Sequence, residues 1–155
     1  MWQIGIMQGR LTEPNGRGIQ FFPFDNWRPE FEAAKEIGLD GIEFIFDYDD
    51  YEQNPLWQEK GEKVKEASDM TGVPVKSVCF DYFMRRPFYK CDGIRRLELL
   101  TENKRILTHV LENMKPTGIS LIEIPLVDDS SLRNESEADA FRDFLLDILK
   151  NAPEG

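Results

Sequence analysis

The strongest constraint in this sequence is a strict alternation of strand-like and helix-like runs, repeated four times at a spacing of about 40 residues. Alternation of that kind argues for parallel strands joined by crossover helices, because a parallel neighbour can only be reached by a long return connection. The first strand reads as Gln3 to Gln8 and is followed by a polar loop through Gly9, Arg10, Asn15, Gly16 and Gly18. A helix is expected from near Trp27, with Asn26 as N-cap, Pro29 in the first turn and Gly38 at its end. The second unit pairs a strand at Gly41 to Phe46 with an acidic loop (Asp47, Asp49, Asp50, Glu52) and a helix from about Pro55 to Met70, closed by Gly72 and Pro74.

The third strand reads as Val75 to Phe80. It leads into an aromatic and basic loop, Tyr82 to Phe88, and then the longest helix, Gly93 to Met114. Leu97, Leu100, Ile106, Val110 and Leu111 recur on that helix at near-helical spacing and are expected to pack on the sheet. His109, the single histidine, sits beside Val110 and reads as a surface or satisfied boundary residue. The fourth strand is Ile119 to Ile124, and Ser136 with Asp139 resembles a capping box opening a helix to about Lys150. Phe141, Phe144, Leu145 and Ile148 form the apolar stripe of that helix, and residues 151–155 read as a terminator. The fold class expected is therefore α/β with a parallel sheet, in one domain over residues 1–155.

Composition narrows the function. A hydrophobic share of 41%, with 11 Phe, 3 Trp and 4 Tyr, describes a chain with a substantial core. Nineteen Lys and Arg against 29 Asp and Glu leave a net charge of −10, which repels nucleic acid and anionic lipid at long range. A small anionic substrate remains compatible, since one arginine can bind a phosphate inside an acidic protein. Cys79 and Cys91 are too few for a disulfide scaffold or a structural zinc site and read as reduced thiols. Neither a membrane span nor a signal peptide is legible, so the cytoplasm is the expected compartment.

In parallel α/β folds the carboxyl ends of the strands carry the site, because the loops there converge over one end of the sheet. That rule selects Gln8 and Arg10 after the first strand, Glu43 and Asp47 on the second, Asp81 on the third, and Glu123 and Asp128 on the fourth. Glu43 and Glu123 each stand inside an apolar run, Gly-Ile-Glu-Phe-Ile and Leu-Ile-Glu-Ile-Pro. Side chains alternate along a strand, so the flanking isoleucines can face the helices while each Glu faces the barrel axis. Such an acid is either a member of an interior polar layer with Lys or Arg partners, or a functional carboxylate. Asp81 shares its phase with Ser77 and Cys79, or alternatively caps a loop through backbone amides. Arg10, Arg85 and Arg86 lie at the same end, as an anion clamp or as solvated loop residues. No phosphate-cradling glycine motif follows a strand, and a lone helical histidine offers no base for Ser-His or Cys-His catalysis.

Taken together, Ile4-Gly5-Ile6-Met7-Gln8-Gly9-Arg10-Leu11, Gly38-Leu39-Asp40-Gly41-Ile42-Glu43-Phe44, Ser77 through Met84 and Ile124 through Asp128 resemble the opening half of the sugar phosphate isomerase/epimerase family, a xylose isomerase-like superfamily. The resemblance implies a (β/α)₈ TIM barrel, present here as a half barrel of four β-α units, from proteins about twice this length. It implies an enzyme that moves a proton next to a sugar carbonyl with a pair of carboxylates as acid and base, Glu43 being the catalytic carboxylate on the second strand. Gln8, Arg10, Asp81 and Glu123 would be substrate-binding mouth residues for a small-molecule sugar or sugar phosphate. A divalent metal (Mn, Mg or Zn) is implied as cofactor, with its ligands expected from strands beyond this chain, so no metal ligand is assigned here. A half barrel leaves two open sheet edges, so a homodimer, or continuation into a longer enzyme, is expected. A non-catalytic sugar-binding or structural half barrel is the alternative, and a related metal-dependent DNA-repair nuclease conflicts with the net charge.

Overall fold

The structure is a computed structural model that describes residues 3–13, 16 and 21–151. Asn15, Gly18 and the expected terminator residues 152–155 lie outside the described residues. Four strands, β1 (Gly5–Met7), β2 (Gly41–Ile45), β3 (Val75–Cys79) and β4 (Leu121–Glu123), form one sheet in the order β1-β2-β3-β4. Every neighbouring pair is parallel. Strand order that follows chain order is how a barrel winds; a doubly wound sheet would reverse direction after its first strand. The architecture is α/β and half of a TIM-barrel-type fold.

The helices are α1 (Pro29–Glu36), α2 (Glu62–Thr71), α3 (Tyr82–Arg85), α4 (Gly93–Met114) and α5 (Glu135–Asn151). The helix-facing side of the sheet is closed by aromatics: the Phe44 ring lies 6.0 Å from Trp27 and 5.3 Å from Phe22. Offset and edge-on ring pairs add to the area they bury, which is where the chain's phenylalanines go. The register of β2 against β3 slips by one residue, Ile42 facing Val75 while Glu43 faces Ser77, so Lys76 is the extra residue on β3.

Several local expectations are corrected. The edge strands are shorter than Gln3 to Gln8 and Ile119 to Ile124, as is usual where one side has no ladder partner. α1 begins at Pro29 with Arg28 in the capping position, so Asn26 is not its N-cap; the Asn26 carbonyl instead accepts the Glu30 amide at 3.3 Å. Its end is as expected, with the Gly38 and Leu39 amides returning to Lys35 and Ala34 at 3.1 and 2.9 Å. The helix expected from Pro55 starts only at Glu62, because Lys60 and Gly61 both adopt left-handed backbone conformations (φ 52° and 67°) that no helix accommodates. Tyr82 to Phe88 is not an open loop, since α3 and a 3₁₀ turn at Phe88–Lys90 bury Tyr82, Phe83 and Phe88. On α4 the face against the core is Leu99, Asn103, Ile106, Leu107 and Val110, whereas Leu97 points outward at 64% exposure. α5 is capped by Asn134, whose Oδ1 accepts the Glu137 amide at 3.0 Å, and not by the Ser136 and Asp139 pair. His109 is satisfied structurally, its Nε2 2.9 Å from the Trp57 carbonyl oxygen.

Gly61 marks the tightest point between α2 and α4. A Cβ there would sit 2.5 Å from the Asn113 carbonyl oxygen and 2.7 Å from Thr117 Cγ2, while the equally left-handed Gly72 has nothing within 4 Å. Gly72→Ala should cost about 1 kcal/mol from backbone conformation alone, and Gly61→Ala about 2–4 kcal/mol because backbone must also move. Urea unfolding of the two variants measures the difference; equal costs would show that the Asn113 contact does not constrain the fold.

Candidate functional site

The hydrogen-bond ladder continues past the ends of the strands. The Gln8 amide donates to the Glu43 carbonyl (2.9 Å), the Phe46 amide to Cys79 (2.9 Å) and the Phe80 amide to Glu123 (2.8 Å). These bonds hold the carboxyl ends of all four strands side by side. The register places Met7, Glu43, Ser77 and Leu121 in one row and Ile45, Cys79 and Glu123 in the next. Laterally paired residues of a parallel sheet share a face, so Glu43, Ser77, Cys79 and Glu123 stand together on the side that a closed barrel turns to its axis.

Glu43 is half-buried, and its Oε1 accepts the Ser77 hydroxyl at 2.7 Å. No Lys or Arg pairs with Glu43 or Glu123 among the described residues, so the expected interior salt bridges are not what holds these acids. Asp81 is buried at the end of β3 and accepts the Cys79 thiol at 3.3 Å. Burial, with Asp47 and Glu123 nearby, pushes the Asp81 carboxyl up to about 6, against the opposing pull of the thiol bond and of Arg10. The alternative role for Asp81, capping a loop with its side chain, is not what it does here: it precedes α3 without any side-chain capping bond. The Cys79 thiol is itself pushed far above its ordinary range by burial and by the carboxylates of Glu123 and Asp81. Asp47 is raised by burial and by Asp49, while the Tyr48 amide bond (2.6 Å) and Arg85 act the other way.

Gln8 is buried; its Oε1 accepts the Ile45 amide at 3.3 Å, and its Nε2 donor has no partner. Arg10 is exposed and its Nη2 lies 3.4 Å from Met7 Sδ. Arg86 leaves the set of free cations: its guanidinium is paired with Glu102 and lies 5.4 Å from the Tyr48 ring centre. Asp128 is exposed, at φ 49° in the 3₁₀ turn Asp128–Ser130, and does not join the cluster.

The residue that sequence reasoning missed is Glu30. It is 1% exposed, and its two carboxylate oxygens accept the Gly9 amide (2.8 Å) and the Leu11 amide (3.0 Å), one on each side of Arg10. Burial raises its pKa while those two bonds lower it. In the sequence Glu30 is one more acid in the first turn of a helix, where acids are common for their interaction with the helix dipole.

The implied divalent cation finds no ready set of ligands. Among the described residues no three of His, Cys, Asp and Glu converge to hold a metal ion. The acids at this end pair instead with a hydroxyl, a thiol and backbone amides.

No protein-family model matches the chain, and no curated protein matches it in sequence. Its fold is similar to the crystal structure of a 3-keto-D-glucoside 4-epimerase from E. coli in its apo form, with a TM-score of 0.60 and 23% sequence identity. The match covers 97% of this chain and 51% of that one, so the chain spans about half the length of the epimerase. The likeness is one of fold, a half barrel laid over half of a larger structure. Among the described residues no helix is long and apolar enough to cross a membrane.

The raised Asp81 carboxyl has a measurable consequence. The folded chain holds the Asp81 proton more tightly than the unfolded chain, where Asp titrates near ~3.9, so stability falls as pH rises from about 4 to about 6. The loss amounts to about 3 kcal/mol above that window. Asp81→Asn should remove this slope and raise stability at pH 7. Urea midpoints at pH 4 to 7 measure it, and parallel pH profiles for the two proteins would refute the raised carboxyl.

Proposed function

We propose that this chain is the N-terminal half of a xylose isomerase-like sugar or sugar-phosphate isomerase or epimerase, and that it folds as a single domain over residues 1–155. The observation that carries the reading is Glu43: a carboxylate on the inner face of the sheet, held by Ser77 Oγ and not neutralised by a cation. A carboxylate so placed can take the proton from a carbon next to a sugar carbonyl. The electron pair of that C–H bond moves into an enediolate, and return of a proton to the same carbon on the other face, or to the neighbouring carbon, completes epimerisation or isomerisation. Asp81, which holds its proton to about pH 6, suits donation to the developing oxygen. Gln8 Nε2, a donor without a partner, suits a sugar hydroxyl, and Arg10 suits a phosphate or carboxylate. Glu123 completes the acidic row against which a sugar would be held.

A half barrel is closed either by a second half continuing the chain or by a second copy of this chain, whose edges would match. Ile4 beside β1 and Ile37 at the end of α1 are 65% and 63% exposed; Leu121 on β4, and Leu149 on the following helix α5, are 61% and 72% exposed. Two copies on a two-fold axis would set each β1 edge against the other copy's β4 edge and cover both apolar pairs. That the epimerase of similar fold is about twice as long supports an eight-stranded closure here. A non-catalytic sugar-binding half barrel is the second reading, to which the unpartnered Gln8 Nε2 and the exposed Arg10 are equally suited.

Two experiments test the proposal. Turnover of a ketose and keto-sugar panel with added Mn²⁺ or Mg²⁺ should fall by about 100-fold or more in Glu43→Gln. Turnover that survives the substitution would remove Glu43 from the chemistry, and saturable sugar binding without turnover in either protein would favour the binding module. Sedimentation should give a dimer that Leu121→Glu with Leu149→Lys converts to monomer, whereas a stable wild-type monomer would overturn closure by a second copy.

A further inference from the structure

Arg10 is exposed at the mouth, yet the backbone on both sides of it is fixed from below. Gly9 is buried at φ +80°, where a Cβ would come within 2.9 Å of the Phe21 carbonyl oxygen. Its amide and that of Leu11 both end on the Glu30 carboxylate, one oxygen each. A carboxylate that accepts two amides flanking a single residue leaves that residue few directions in which to project. The three-residue turn carries one charged side chain, so the clamp fixes one thing, the origin of the Arg10 guanidinium.

The electrostatic neighbours of that guanidinium are also defined. Its Nη2 lies 3.4 Å from the Sδ of Met7, the residue beside Glu43 in the row, and its charge bears favourably on Asp81 and on Glu30 itself. The groups facing Asp81 are Cys79, through its thiol, together with Asp47, Glu123 and Arg10. Arg10 is the cation among them, and α1, on which Glu30 stands, contributes no direct partner to Asp81. The path from Glu30 to Asp81 that these contacts offer runs through Arg10.

We infer that Glu30 is a positioning residue for the mouth of the half barrel: by binding the amides of Gly9 and Leu11 it holds the Arg10 guanidinium over the carboxylate row, where an anionic group of a ligand would be met. This rests on the proposed sugar-phosphate reading only for the identity of the ligand; the coupling of Glu30 to Asp81 through Arg10 does not need it. A clamp of this kind also keeps a strongly acidic mouth usable by an anion, since a guanidinium free to swing into solvent would leave Asp47, Asp81 and Glu123 to repel it.

The test is a double-mutant cycle read by NMR titration of the Asp81 side-chain carboxyl, with far-UV circular dichroism confirming that each variant is folded. Arg10→Ala should raise the Asp81 midpoint by about half a pH unit, because a favourable cation is lost. Glu30→Ala in the wild-type background should also raise it, although removing a neighbouring negative charge by itself would lower it. In the Arg10→Ala background the same Glu30 substitution should only lower it. Glu30→Gln keeps one acceptor oxygen and should fall between wild type and Glu30→Ala, and it decides the matter if Glu30→Ala does not fold. An equal shift for the Glu30 substitution in both backgrounds would overturn the inference, as would a downward shift in both. Titration with inorganic phosphate adds a separate arm: if phosphate binds wild type and weakens about threefold or more in Glu30→Gln, the clamp serves anion binding. Phosphate that does not bind at all, with the Asp81 coupling intact, would count against the sugar-phosphate reading and leave the positioning role standing.

Discussion

The inter-strand ladder is what the rest of the mouth depends on. Three backbone bonds extend it beyond the strands proper, from Gln8 to Glu43, Phe46 to Cys79 and Phe80 to Glu123, and the Tyr82 amide adds a fourth contact to the Phe46 carbonyl at 3.0 Å. Because each bond links one strand's exit to its neighbour's last turn of pleat, the side chains at the exits are placed by backbone geometry and not by loop packing. Sites carried on rigid elements hold their groups more closely than sites carried on loops. This is why side chains separated by 34 to 80 residues of chain, Glu43 from Ser77 and from Glu123, share a face.

Beneath that ladder the aromatic layer supplies rigidity. Phe46 and Phe80 stack with ring centres 4.8 Å apart, and Tyr82 leans on both at 6.2 and 6.1 Å. The same Tyr82 donates its hydroxyl to Glu102 at 3.1 Å, the acid that also pairs with Arg86. A tyrosine that packs with its ring and bonds with its hydroxyl fastens the end of β3 to α4, and it also explains why Arg86 is spent on structure while Arg10 is not.

The order of elements, the bounds of α4 and the two inner strands were legible because long periodic runs and β-branched clusters report burial directly. What was not legible depended on contacts distant in sequence or on single backbone conformations. The late start of α2 turns on Lys60 in a left-handed conformation, which a lysine code does not announce. The α4 face differs from the expected one at Leu97 because leucines on both sides of the helix fit a near-helical spacing, and the core face includes Asn103, a buried amide donating to the Arg86 carbonyl at 2.7 Å that an apolar pattern does not mark. Among the site candidates, Glu43 and Asp81 stood out as acids at strand ends, whereas Glu30 could be recognised only once the fold had brought Gly9 and Leu11 back over the first turn of α1.

The slip between β2 and β3 carries a consequence for the acid at the centre of the site. In an unbroken register, Ile42 opposite Val75 would be followed by Glu43 opposite Lys76, and a carboxylate beside an ammonium on one sheet face is a neutral pair. The extra residue moves Lys76 to the exposed surface, its stem lying over Gly41, and brings Ser77 alongside Glu43 in its place. A hydroxyl orients the carboxylate and leaves its charge intact. What stands beside Glu43 is thus written into the length of the neighbouring strand: the one extra residue decides that the carboxylate meets a hydroxyl and not an ammonium.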